Sequence, residues 1–327
     1  MFDDLIDQKL PAQILSTLVR KGNAPHALLF SGIEGVGKKK AALTFAMAAN
    51  CESNKEPCGV CRSCKKIKSA IHPDIIEIKP SGKVIKIAQI RELIHVLSRK
   101  PYEALKRVII IHDADAINTE AGNALLKVLE EPPDKTFFIL ITTQNGHVLP
   151  TIASRCQQIK FNPVSKKTII SHLVDKLGVP EEKALIIAQM ADGNLPEAER
   201  MADLESGNHT NWLSLRDIII SGLDILNGQS TGQLLSFANR LFKKKDQVST
   251  FLAIMKTCFR DIIIFKYAPE KIIFRDLSEK IACMSKTLTI DSMLQRIEAI
   301  YMAERAIQSN ANLRLTLEVL MIRMSRV

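Results

Sequence analysis

Five short apolar runs punctuate the first half of the chain: Ala27–Ser31, Asp74–Ile78, Val108–His112, Phe137–Thr142 and Gln158–Phe161. Runs of this length, apolar without alternation, predict strands buried on both faces, as in a parallel sheet. Between them the apolar positions change period. Ile87, Ile90, Ile94 and Leu97 recur at helical spacing, as do Leu125, Leu126 and Leu129, and Lys39–Asn50 is an alanine-rich helical stretch. Strand–helix alternation predicts an α/β domain whose parallel sheet is covered by helices on both sides. After residue 162 the strand pattern stops. Ser165–Leu177 and Pro180–Ala191 predict two short helices, with Gly178 and Gly193 as helix ends. The polar stretch Leu204–Thr210 predicts a linker, and Trp212–Val327 is helical in pattern throughout, with Ile297, Ile300, Met302, Ile307, Leu313, Leu317, Leu320 and Met321 on apolar faces. The predicted organisation is an α/β domain over 1–162, a small helical domain over 163–207 and an all-α domain over 208–327.

A chain of 327 residues is long enough for two or three such domains, each with its own core. The start, Met1-Phe2-Asp3-Asp4, is acidic and lacks the basic and apolar regions of a signal peptide. No apolar run approaches the roughly 18 residues that span a bilayer. The expectation is a cytoplasmic protein with no membrane partner. A formal net charge of +10 suits a polyanion such as nucleic acid and equally serves solubility.

The first candidate chemistry follows the first strand. Gly32-Ile33-Glu34-Gly35-Val36-Gly37-Lys38 fits a phosphate-binding loop between a strand and a helix. Gly32, Gly35 and Gly37 let backbone N–H groups turn towards phosphate, the helix N-terminus adds partial positive charge, and Lys38 can reach the β- and γ-phosphates. The next position calls for a Ser or Thr hydroxyl to ligate magnesium, and Lys39 stands there. The strand Val108–Ile111 should end in an acid that holds Mg²⁺ and a Glu that orients water. Its continuation is His112-Asp113-Ala114-Asp115. His112 is a poor ligand for a hard cation. An offset alignment gives Asp113 the metal role and leaves Ala114 to orient water. Either way a part is missing, which predicts little or no intrinsic ATP hydrolysis and leaves nucleotide occupancy open.

Four of the seven cysteines crowd into residues 51–64, spaced Cys51-x6-Cys58-x2-Cys61-x2-Cys64. In a chain without a secretory signal, such a cluster points to metal before disulfides, and four thiolates match a closed structural zinc site. Pro57 and Gly59 suit the tight turns of such a knuckle, and Lys55, Arg62, Lys65, Lys66 and Lys68 can balance its negative charge. Redox-active thiols and an iron–sulfur cluster are the competing readings. His72 is either a spare ligand or the opening of the next strand.

The order of phosphate loop, four-cysteine knuckle, His72-Pro73-Asp74, strand 108–112, Asn123-Ala124-Leu125-Leu126-Lys127-Val128-Leu129-Glu130-Glu131-Pro132-Pro133 and Ser154-Arg155-Cys156 resembles the bacterial clamp loaders of the AAA+ class. The resemblance covers about the first 200 residues well and reaches the C-terminus through Asn310–Glu318. Its broken nucleotide site makes the chain similar to the non-motor, delta-prime type of subunit rather than to tau and gamma. The resemblance implies an AAA+ domain with an inserted zinc knuckle, a helical lid and a C-terminal collar. It also implies tau/gamma and delta as partners in a hetero-pentamer that loads the sliding clamp onto primed DNA.

Pro196, in Gly193–Ala198, falls where motor subunits carry a nucleotide-sensing arginine. Thr142 and Thr143 fall near the polar sensor. Arg155 is the implied arginine finger, acting in a neighbour's ATP site, against the simpler reading of a surface arginine paired with a local carboxylate. Cys156 is expected to pack. Asn123 and Lys127 are implied to face DNA or to form a solvated helix face. The competing functions are a tau/gamma-like motor ATPase, distinguished by turnover of the isolated chain, and a zinc protein that binds DNA by itself.

Overall fold

The computed structural model describes residues 2–326 apart from 3, 22–24, 54–55, 144, 207–211, 224–230, 244–246 and 309–310. Lys55, Asn310 and most of the expected linker fall outside the described residues. Five strands form one sheet: β1 (Ala27–Ser31), β2 (Ile75–Ile78), β3 (Arg107–Ile111), β4 (Thr136–Thr142) and β5 (Gln157–Lys160). Their spatial order is β2-β3-β4-β1-β5, and every pairing is parallel. All five are where the apolar runs place them, with ends shifted by up to one residue. Asp74 and His112 fall one residue outside β2 and β3, although the Asp74 carbonyl accepts from Val108 N at 3.2 Å and His112 N donates to the Ile78 carbonyl at 2.9 Å.

The three inner strands are buried at every position, whereas β5 exposes Gln157, Gln158 and Lys160. Alternate side chains of the inner strands feed two cores. Leu29, Ile109, Ile111, Phe138 and Leu140 pack with Ile90 and Leu93 of α4 (Ile87–Leu97) and with Leu125 and Leu129 of α5 (Thr119–Glu130). Leu28, Phe30, Ile110, Ile139 and Ile141 face the other way, against Leu15 of α1 (Lys9–Lys21) and Phe45 of α2 (Lys38–Asn50). Each such side chain contributes roughly 1.5–3 kcal/mol by burial. The aromatic pairs Phe30–Phe161 at 5.2 Å and Phe45–Phe137 at 5.6 Å stiffen this second layer.

The chain divides into two compact units, Met1–Thr168 with Gly193–Leu195, and Ile169–Asp192 with Pro196–Val327. The second unit contains no strand among its described residues. Its elements are α7 (Lys166–Leu177, most of it), α8 (Glu181–Met190), α9 (Leu195–Ser206, from Pro196 on), α10 (Trp212–Leu223), α11 (Thr231–Phe242), α12 (Val248–Phe265), α13 (Ser278–Thr287), α14 (Ile290–Gln308) and α15 (Leu313–Ser325). α12 is its spine, burying Phe251, Met255, Phe259 and Ile262 and touching α10, α13 and α14. α9 continues to Ser206, so the first residues of the expected linker are helical. Pro196 sits in the first turn of α9, where its missing N–H costs nothing.

Candidate functional site

The phosphate loop joins β1 to α2. Gly32 has φ +148°, and a Cβ there would lie 2.4 Å from the Phe161 carbonyl oxygen, so no other residue fits. Gly37 caps α2 in the left-handed region, at φ 93°. Lys38 turns back into this loop: its Nζ donates to the carbonyls of Gly32 and Ile33, each at 2.6 Å. Burial pushes its ammonium below the ordinary lysine value, opposed by the charges of Glu34, Asp113 and Asp115.

Beside the loop, charge is organised around Glu77 of β2. Lys39 Nζ lies 3.7 Å from Glu77 Oε2, and His112 Nε2 lies 2.8 Å from the same oxygen. Lys39 and His112, the two residues at which the sequence reading finds a magnesium ligand wanting, therefore converge on one carboxylate. Parallel pairing of β2 with β3 brings them together, with Glu77 level with Ile110 and His112 just past the strand end. Sequence reading missed Glu77. Its one signal was a lone acid in the apolar run Ile-Ile-Glu-Ile. Asp113 adopts a left-handed conformation, φ 49°, and opens a single 3₁₀ turn. Asp115 Oδ1 accepts from Thr142 Oγ1 at 2.6 Å, so the buried sensor-position hydroxyl is bonded to an acid past the end of β3. Thr143 is exposed.

The four cysteines of the knuckle meet. The Sγ atoms of Cys51, Cys58, Cys61 and Cys64 lie within 4.8 Å of one another. Four sulfurs on a tetrahedral zinc at about 2.3 Å stand roughly 3.8 Å apart, so the donor set fits such an ion. Backbone amides already point at the sulfurs: Cys58 N donates to Cys51 Sγ, Cys61 N to Cys58 Sγ and Cys64 N to Cys61 Sγ, at 3.3–3.4 Å. The Cys61 and Val60 amides bring the Cys58 thiol down to about 6. Burial drives Cys64 up to about 12, a penalty that a coordinated cation would reverse.

Cys51 follows α2 directly, and Cys61 caps α3 (Arg62–Lys68). Asn50 exchanges hydrogen bonds with the backbone of Lys106, and Glu103 pairs with Lys66 of α3 at 2.6 Å. The knuckle is thus tied to the segment leading into β3. His72 is not in the sulfur group. Its Nδ1 accepts from Asp74 N at 3.2 Å, which makes it the opening of the turn before β2. Asp74 is buried, yet its carboxyl is held below the usual range. Desolvation pushes it up, and the amides of Glu103, Tyr102 and Ala104 with Arg107 more than offset that.

Arg155 follows α6 (Pro150–Ala153). Its Nη1 donates to Thr151 O at 3.0 Å and its Nη2 to Glu130 Oε1. Both partners belong to the segments 119–130 and 150–153, and neither to the phosphate loop. Cys156 packs in the sheet core and burial raises its thiol to about 12. Asn123 and Lys127 are exposed on α5.

The family described as "DNA polymerase III, delta subunit" matches residues 7–165, and its C-terminal counterpart matches residues 210–326. The delta-prime subunit of DNA polymerase III from Bacillus subtilis is 33% identical over 316 residues, covering 95% of this chain and 94% of its own. The chain belongs to the delta-prime family of DNA polymerase III clamp-loader subunits. The tau subunit of the same organism is 31% identical over 89% of this chain, and tau/gamma of Haemophilus influenzae 28% identical over 98%. This delta-prime family member spans about half the length of those two relatives, 56% and 49%. The fold expected of a clamp-loader subunit, an α/β domain with a parallel sheet and a C-terminal helical region, is the one observed. Among the described residues no helix is long and apolar enough to cross a membrane.

Proposed function

We propose that this clamp-loader subunit is a non-motor scaffold: it hydrolyses no ATP itself and supplies Arg155 to the ATP site of a neighbouring subunit. The observation that carries the first half is the pairing of Lys39 and His112 with Glu77. An ammonium and an imidazole on one carboxylate occupy the positions from which a magnesium site would be built, and phosphoryl transfer depends on that metal. The phosphate loop of Gly32, Gly35, Gly37 and Lys38 keeps its shape, so nucleotide can be held there without turnover. Cys51, Cys58, Cys61 and Cys64 would hold a structural zinc, whose chemistry is to stabilise the thiolates and lock the knuckle.

In this reading the working domains are 1–162, 163–207 and 208–327: an AAA+ domain, a lid and a collar. The partners are tau/gamma and delta in a hetero-pentamer that places the sliding clamp on primed DNA in the cytoplasm. Arg155 acts by stabilising charge in the transition state, an effect of roughly 10³–10⁵-fold where arginine fingers have been measured. In an assembly reconstituted with tau/gamma and delta, Arg155→Ala folds and assembles normally and slows DNA-stimulated ATP hydrolysis and clamp loading. Full activity of that variant would remove the finger from the account.

A further inference from the structure

The Arg155 guanidinium is held from two directions. Thr151, four residues back, accepts from Nη1 through its carbonyl, and Glu130, 25 residues away in sequence, accepts from Nη2, so the two contacts together orient the guanidinium. A guanidinium carries five N–H donors. Two are committed to these acceptors, and the side chain is still 37% exposed, which leaves donors for a further acceptor. Glu130 is the last residue of α5, and Asn123, Lys127 and Glu130 recur at helical spacing, all exposed. One stripe of a single helix therefore carries two polar residues in its middle and, at its end, the carboxylate that orients Arg155. Cys156 and Ile152, on either side of Arg155 in sequence, are buried in the same core as Leu125 and Leu129 of α5, so the arginine and the helix share a rigid base.

We propose that Glu130 is a positioning residue for Arg155: it presents the free N–H groups of the guanidinium to a neighbouring subunit's ATP and transmits to them any displacement of α5. This rests on the finger reading of Arg155. A finger stabilises transition-state charge only if its donors stand where that charge develops, and misplacement by about 1 Å can cost as much as 10²-fold. An exposed ion pair contributes little to stability, so losing Glu130 leaves the fold intact.

The test uses the reconstituted clamp loader, with steady-state ATPase measured on primed DNA as ATP is varied. Glu130→Ala is expected to lower kcat roughly tenfold while KM for ATP and assembly by gel filtration stay unchanged. Glu130→Gln keeps a carbonyl acceptor and is expected to recover most of that loss. In the Arg155→Ala background, Glu130→Ala is expected to add nothing, because the residue acts only through the arginine. A Glu130→Ala subunit with wild-type or higher kcat, an additive loss in the double variant, or failure of Glu130→Ala to assemble would each overturn the proposal. Full activity of Arg155→Ala would overturn the finger reading instead, so the two failures are distinct.

Discussion

Asp74 has no part in the chemistry, yet it is among the most constrained polar residues in the α/β unit. Its carboxylate accepts three backbone amides at 2.8–2.9 Å and lies 3.5 Å from the buried guanidinium of Arg107, which in turn donates to the carbonyls of Val96 and Arg99. Asp74→Ala strands Arg107 without its countercharge and is expected to cost about 3–5 kcal/mol in urea or thermal unfolding. The folded-state pKa of Asp74 lies below that of the unfolded chain. Its contribution is therefore full at neutral pH and is lost as pH falls below the ordinary carboxylate range of about 4. Wild type should lose stability through that window more steeply than Asp74→Asn; equal slopes would show that the carboxylate is not the group responsible. The sequence marks His72-Pro73-Asp74 as a motif but not as a knot, because the amides that Asp74 binds come from residues 102–104. Glu77 and Glu130 were hidden for the same reason: each meets its partner through tertiary placement, across β2–β3 or between α5 and the segment after α6.

Elements were far more legible than partners. The strands announced themselves because burial on both faces demands unbroken apolar runs, and their ends drifted by up to one residue where polar residues such as Arg107, Thr136 and Gln157 join the ladder. The sequence reading named no element before Ala27. α1 lies there, with Pro11 and Leu15 buried, and its Leu10, Ile14, Leu15, Leu18 and Val19 recur at a helical spacing that the reading passed over. The cysteine group was readable because all four ligands lie within residues 51–64, so chain geometry alone brings them together. Metal removal should then act locally. Chelation, or Cys64→Ser, is expected to abolish stoichiometric zinc by elemental analysis and to raise amide exchange across residues 51–68 while β1, β3 and β4 stay protected. Loss of protection throughout the sheet would mean that the knuckle is part of the core rather than an attachment to it.

At the scale of the whole molecule, the separation of parts sets the expected behaviour of the isolated chain. Arg155 is bonded to Glu130 and Thr151, and no polar contact joins it to the phosphate loop among the described residues. Restoring a magnesium site by Lys39→Thr with His112→Asp should therefore add Mg²⁺-dependent nucleotide binding without turnover, since Arg155 is engaged away from the phosphate loop. Titration calorimetry with and without Mg²⁺, paired with a phosphate-release assay, checks both halves. Turnover by the isolated chain that disappears on Lys38→Ala would contradict the scaffold reading. The likeness to delta-prime relatives along nearly the whole chain and the disposition of these residues lead to one expectation: the subunit works as part of an assembly.

The two outer strands bear on how such an assembly stays orderly. β2 and β5 are each four residues long, and β5 turns Gln157, Gln158 and Lys160 to solvent. Both margins are short, and that of β5 is also polar and charged, features that make a poor template for adding a further strand from another molecule. Runaway stacking into fibres at high concentration is therefore disfavoured at the β5 margin, where a lysine and two glutamines face the solvent that an added strand would have to displace.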